Sequence, residues 1–177
     1  MSQLLFVLLV LAVAVERVAV LVVSRRNAAW ALSRDGAEAG RGHYPAMVLL
    51  HTGLLVGAVA EVLVLDRPFL PALGWVMLLL VGASQALRWW CITTLGRQWN
   101  TRVIVVPGLQ RVAGGPYRLI PHPNYVAVVV EGVALPLVHT GWLTALVFTA
   151  LNAALLTVRI RVEDRALSAL TTTADGR

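Results

Sequence analysis

The stretch LLFVLLVLAVAVERVAVLVV, residues 4–23, decides the fold, because only Glu16 and Arg17 interrupt an otherwise unbroken apolar run. A membrane-crossing helix needs ~20 mostly apolar residues, and this stretch meets that length. No basic region precedes it and no small-residue cleavage site follows, so it reads as a retained span, not a signal peptide. Working outward, further spans run from Pro45 to about Leu65 and from Leu70 to about Ile92. The shorter segments 124–138 and 142–158, joined by His139, Thr140 and Gly141, read as a tight helical hairpin, which brings the expectation to about five spans. The whole chain agrees: 177 residues, 58% hydrophobic, 14% charged, mean hydropathy +0.76. That balance lies outside the soluble mixture and points to an all-α integral membrane protein. With no linker, internal repeat or low-complexity tract, residues 1–177 read as a single membrane domain. Residues 1–92 would hold three helices, and residues 93–177 an ordered loop, the hairpin and a tail.

The basic residues are all arginines, and the formal net charge is +6. They lie between apolar runs, not along one face with interleaved aromatics, so nucleic acid is not the expected partner. Arg25, Arg26, Arg34 and Arg41 fall in one connection; Arg97, Arg102, Arg111 and Arg118 in a second; Arg159, Arg161, Arg165 and Arg177 in the tail. The alternate connections hold only Arg67 and His139. The positive-inside rule therefore places the N-terminus outside and the long loop and C-terminus in the cytoplasm. The single cysteine, Cys91, excludes an internal disulfide and a Cys-rich metal centre, and four histidines without shared ligand spacing make a metal site improbable.

The long loop is the unusual segment. Its core, RVIVVPGLQRVAGGPYRLIPHPNY, residues 102–125, contains a β-branched stretch, turns at Pro107-Gly108 and Gly114-Gly115-Pro116, and prolines at 121 and 123 that forbid regular helix. Irregular backbone at membrane depth persists only where protein buries it or where it lines a cavity. His122, held between two prolines and bracketed by Tyr117 and Tyr125, is presented from a rigid turn at the start of a helix. The same pattern also fits an interfacial aromatic belt with a capping histidine. In the tail, Arg159 and Glu163 are four apart on one helical face, which suits either a binding pair for charged ligands or a solvated i,i+4 pair.

GPYRLIPHPNY followed by an apolar run, and RIRVEDRAL after another, resembles the isoprenylcysteine carboxyl methyltransferase family of integral membrane methyltransferases, whose pattern looks like G-x-Y-x-x-x-R-H-P-x-Y, a helical hairpin, then R-x-x-x-E-E-x-x-L. The resemblance covers roughly residues 95–167, and TTLGRQWNTRVIVVPG looks closest to the bacterial, polyketide-associated branch. Two positions depart: Pro121 stands where the family carries arginine, so that arginine's contribution has no carrier at this position, and Asp164 replaces the second glutamate. The resemblance implies S-adenosylmethionine held by Leu109, Gln110, Arg111, Val112, Tyr117, His122, Pro123, Asn124, Tyr125 and Glu163, with Arg159 facing the methyl acceptor. It implies a lipophilic acceptor, either a prenylcysteine-type carboxylate or a long-chain polyketide hydroxyl, and residence in a bacterial inner membrane among its lipids. Methyl transfer is an in-line displacement, so alignment and water exclusion carry most of the acceleration. A hydroxyl acceptor needs a base, and Glu131, nine residues past His122, is a candidate catalytic residue; it equally fits a structural partner for Arg88. Rival readings are a phospholipid-type N-methyltransferase and a non-enzymatic transporter or scaffold. Glu16, Arg17, His51 and Glu61 read as interhelical pairing or helix-end snorkelling. Asn100 suits either a cofactor contact or a turn cap.

Overall fold

The computed structural model describes residues 1–40, 42, 44–109 and 112–174, with side chains described through residue 166. Among the described residues five α-helices form: α1 (Gln3–Leu32), α2 (Tyr44–Val64), α3 (Pro71–Leu95), α4 (Pro123–Leu137) and α5 (Trp142–Ala174). Four of them are long and apolar enough to cross a membrane, and the protein is an all-α integral membrane protein. The fifth, α4, has 15 residues. At ~1.5 Å per residue it reaches about 22 Å, short of a ~30 Å hydrocarbon core, so the hairpin that it forms with α5 has one short arm. It is wedged between α3 and α5.

Local chemistry explains the helix ends. Ser2 caps α1, its hydroxyl accepting from the Leu5 amide at 3.3 Å. Pro71 and Pro123 open α3 and α4 at the first turn, where a missing N–H costs nothing. The start of α5 is capped from another helix: the Glu61 carboxylate of α2 accepts from the amides of Leu143 at 3.1 Å and Thr144 at 2.7 Å, and pairs with Arg67 at 2.9 Å. Beside it, His139 reaches the carbonyls of Arg67 and Met1 through its two ring nitrogens, at 3.0 and 3.1 Å. These contacts bind the hairpin turn to the α2–α3 connection and the N-terminus.

Two helices continue beyond their apolar runs. The α1 helix continues past Val23 to Leu32, because Arg25 and Arg26 stay exposed while Ser24, Asn27, Ala28 and Ala31 are buried. The α5 helix passes 158 without a break to Ala174, there being no glycine or proline in that interval, so the tail motif belongs to the last spanning helix. The β-branched loop stretch forms a strand, β2 (Val103–Val105), antiparallel to β1 (Ala37–Ala39), with Glu38 opposite Ile104. An Arg102–Glu38 pair at 3.6 Å braces this small sheet.

Inside the bundle sits a four-charge cluster. Glu131 is fully buried; one carboxylate oxygen accepts from Arg17 at 2.9 Å and the other is held by Arg88, which also reaches Glu16 at 3.3 Å. Ionisable groups at this depth are expensive unless paired, and two acids with two arginines leave no formal surplus. The Glu131–Arg88 contact and the interhelical pairing of Glu16 and Arg17 thus form one network across α1, α3 and α4.

Candidate active site

The site is assembled where the long loop folds back over one end of the bundle. The buried polar residues of α1 hold it there. Ser24 lies 2.8 Å from Asn100 Oδ1 and 2.7 Å from Thr101 Oγ1, and its hydroxyl oxygen accepts the Thr101 amide at 3.0 Å. Asn27 donates to the carbonyls of Gly96 and Trp99 at 3.0 and 2.7 Å. Downstream, Gly115 adopts φ +55°, and a Cβ at this position would come within 2.5 Å of Thr94 Oγ1. Only glycine accepts both constraints cheaply, so the Gly114-Gly115 turn packs directly onto α3. It delivers Tyr117 to Cys91, to which it is hydrogen-bonded; burial, reinforced by that thiol, pushes the Tyr117 hydroxyl well above its ordinary pKa.

Beneath the loop is a cavity of about 530 Å³, within the range of small-molecule sites. Of the residues expected to bind cofactor, Leu109, Val112, Tyr117, His122, Asn124, Tyr125 and Glu163 line it. Pro123 is buried at the first turn of α4 and sets the helix start instead of the wall. Gln110 and Arg111 lie outside the described residues. Asn100 both lines the cavity and ties the turn to Ser24 and to the Arg102 amide, so its two readings coexist.

The two sequence motifs meet here. His122 stacks on Tyr125 with ring centroids 5.4 Å apart and 22° between planes. Its ring nitrogens face the tail acids, Nδ1 lying 3.9 Å from Glu163 and Nε2 3.3 Å from Asp164. Tyr125 donates its hydroxyl proton to Glu163 and accepts from Arg159 Nε at 2.8 Å. Arg159 is 5% exposed, and its remaining donors reach the Thr101 carbonyl at 2.6 Å and the Met47 sulfur at 3.1 Å. It forms no salt bridge to a carboxylate among the described residues. Its partners among the described residues are all neutral, and a buried guanidinium without a counter-charge favours an anion beside it.

Arg159 and Tyr125 also belong to a second cavity of about 330 Å³, which extends into the bundle between α1, α2, α4 and α5. The surface of its wall is largely apolar, with Val18, Leu21, Val48 and Leu55 among the lining residues. Trp99, Asn124, Tyr125 and Arg159 line both cavities and form the partition between them. Glu131 lines neither; it lies behind the second cavity, gripping Arg17 and Arg88, which do line it.

Several wall residues escape a motif reading. Trp30, flanked by Arg34 at 4.5 Å and Arg97 at 5.9 Å, lines the first cavity, and its buried Nε1–H has no partner among the described residues. Met47 and Thr101 hold Arg159. The available signal was polar Ser24 and Asn27, three apart just beyond an apolar run, which marks a helix face that still has something to bind.

The fold and this site define an integral membrane protein with a cavity of mixed polar and apolar lining at one end of its helices, which shares a wall with a more apolar cavity within them. Residues 75–169 match the isoprenylcysteine carboxyl methyltransferase (ICMT) family, and the chain belongs to that family: it is a membrane methyltransferase. It is 37% identical over 163 residues to the uncharacterized protein YpbQ of Bacillus subtilis (strain 168), an alignment covering 92% of this chain and 96% of that protein. No solved structure matches the chain.

Proposed function

We propose that this protein transfers a methyl group from S-adenosylmethionine to an oxygen of a lipophilic acceptor, cofactor in the first cavity and acceptor in the second. The observation that carries this reading is the shared partition: Tyr125 and Arg159 stand where a cavity of mixed lining and a more apolar one meet. The first cavity fits the cofactor's chemistry. The Glu163 and Asp164 carboxylates suit its cationic centres, and among the described residues the Trp30 Nε1–H is an unspent donor and the Asn124 Oδ1 an unspent acceptor. Leu109, Val112 and Tyr117 supply apolar wall, and by resemblance Gln110 and Arg111 complete the loop's contacts. When bound, the cofactor supplies an electrophilic methyl on sulfur.

The chain's own part is to orient and to exclude water. Arg159, fixed by Tyr125, Met47 and Thr101, presents donors to an acceptor oxygen that is anionic or becoming so. A cation there disfavours an amine nucleophile, which separates this reading from phospholipid-type N-methylation. The largely apolar wall of the second cavity suits the acceptor's tail, whether prenyl or long-chain alkyl. The arginine distribution supports a cytoplasmic position for the cofactor cavity. The chain acts as one unit, since α1 supplies wall to both cavities.

Calorimetric titration of S-adenosylhomocysteine into detergent-purified protein tests the cofactor site. Saturable binding by wild type, lost in His122→Ala and Glu163→Ala variants with intact thermal unfolding, is the expected result. Absence of binding by folded wild type in several detergents and in lipid would refute the reading.

A further inference from the structure

His51 lies on α2 inside the apolar run and in none of the motifs that carry the family match. It nevertheless lines the second cavity together with Arg17, Arg88, Tyr125 and Arg159. Its Nδ1 lies 2.9 Å from the Met47 carbonyl oxygen. A carbonyl can only accept, so in the neutral ring Nδ1 carries the hydrogen and Nε2 keeps its lone pair. Nε2 has no hydrogen-bond partner among the described residues. The edge-on Phe148 ring, 5.5 Å away at 86°, restrains the imidazole plane. Met47 links this histidine to the partition: its carbonyl holds His51 while its sulfur touches Arg159. The cavity thus pairs a neutral proton acceptor on α2 with an anion-binding arginine on α5.

We infer that His51 Nε2 accepts the hydrogen bond of a hydroxyl on the lipophilic acceptor and takes its proton as the methyl arrives. This rests on the methyl-transfer reading above and deepens it. The acceptor oxygen forms the O–CH3 bond while the CH3–S bond of the sulfonium donor breaks and its electron pair returns to sulfur as a thioether. The hydroxyl proton passes to Nε2 and then to water. A hydroxyl grows far more acidic as its oxygen gains the methyl carbon, so a neutral imidazole is base enough. A carboxylate acceptor carries no proton and gives Nε2 nothing to do. Arg17 from α1, Arg88 from α3, Glu131 from α4 and Arg159 from α5 are the charged groups around it, and Tyr44 and Tyr125 share the cavity.

The test offers labelled S-adenosylmethionine with 4-dodecylphenol or N-acetyl-S-farnesylcysteine to wild type, His51→Ala and His51→Gln, with S-adenosylhomocysteine affinity measured on each. The expected result is phenol methylation by wild type and a roughly 100-fold lower kcat in both variants near pH 7, at unchanged cofactor affinity. The deficit should shrink towards pH ~10, where the phenol ionises unaided. A deficit that persists at that pH, no deficit, turnover of the carboxylate alone, or turnover of neither acceptor would overturn the inference. Failure of wild type to bind S-adenosylhomocysteine would instead overturn the methyltransferase site itself.

Discussion

Replacing Glu131 with glutamine separates its two possible roles. Glu131 is fully buried and spends one oxygen on Arg17 and the other on Arg88. The substitution keeps shape and one acceptor but removes the charge, leaving two arginines against Glu16 alone in a cluster that was neutral. Breaking a buried pair by deleting one partner costs ~3–5 kcal/mol, because the remaining charge stays desolvated. For a chain of this size, where 1 kcal/mol moves Tm by about 2–4 °C, the expected drop is on the order of 6–20 °C. Thermal unfolding of detergent-purified protein reads it. A second change, Arg17→Met, tests the cause: the buried Arg17 Nε already has no partner among the described residues, and removing the side chain restores neutrality. The double variant should therefore be more stable than Glu131→Gln, with a coupling of ~1–3 kcal/mol. If Glu131→Gln unfolds at the wild-type temperature while methyl transfer is lost, Glu131 is a catalytic base and the structural account fails.

Two further perturbations address the site. Tyr125→Phe removes the hydroxyl that joins Arg159 to Glu163, two charge-assisted contacts, and should weaken S-adenosylhomocysteine binding by about 10-fold with little change in Tm; calorimetry showing full affinity would mean that Glu163 needs no such tether. Burial raises the folded-state pKa of Tyr117, so its stabilising contribution is complete below the unfolded value of ~10 and is lost as pH rises beyond it; unfolding scans should show an alkaline decline that Tyr117→Phe reduces, and an identical decline in the variant would refute that assignment.

Much of this protein was legible one residue at a time. Spans follow from apolar runs because lipid offers no hydrogen bonds, and a run long enough to cross must satisfy its backbone as a helix. Positions 4–23, 45–65 and 70–92 therefore announce α1, α2 and α3 without any knowledge of their neighbours. The same logic falters at their ends, since where a helix stops depends on what its last turns touch. Residues 24–32 look like a polar connection, yet Ser24 and Asn27 keep α1 helical by binding the loop some seventy residues away. The spanning α5 carries its tail motif onward for a local reason, the absence of any breaker.

The site divides along the same line. Tyr117, His122, Tyr125, Arg159 and Glu163 stand out in sequence because prolines, aromatics and charges are conspicuous in an apolar chain, and the cavity gathers all five. Trp30 and Met47 carry no such contrast, and His51, visible within its apolar run, reads there only as an interhelical or helix-end polar group; each acquires its place from the wall that it joins. Sequence alone determined that the chain lives in a membrane and which two motifs belong together. Tertiary structure alone decided that Glu131 is locked between two arginines, that Arg159 has no carboxylate partner among the described residues, and that two cavities share a wall. The physical reason is range: helix formation and lipid burial are local, period-bound properties, whereas the pairing of buried charges and the shape of a cavity depend on residues that only packing brings together.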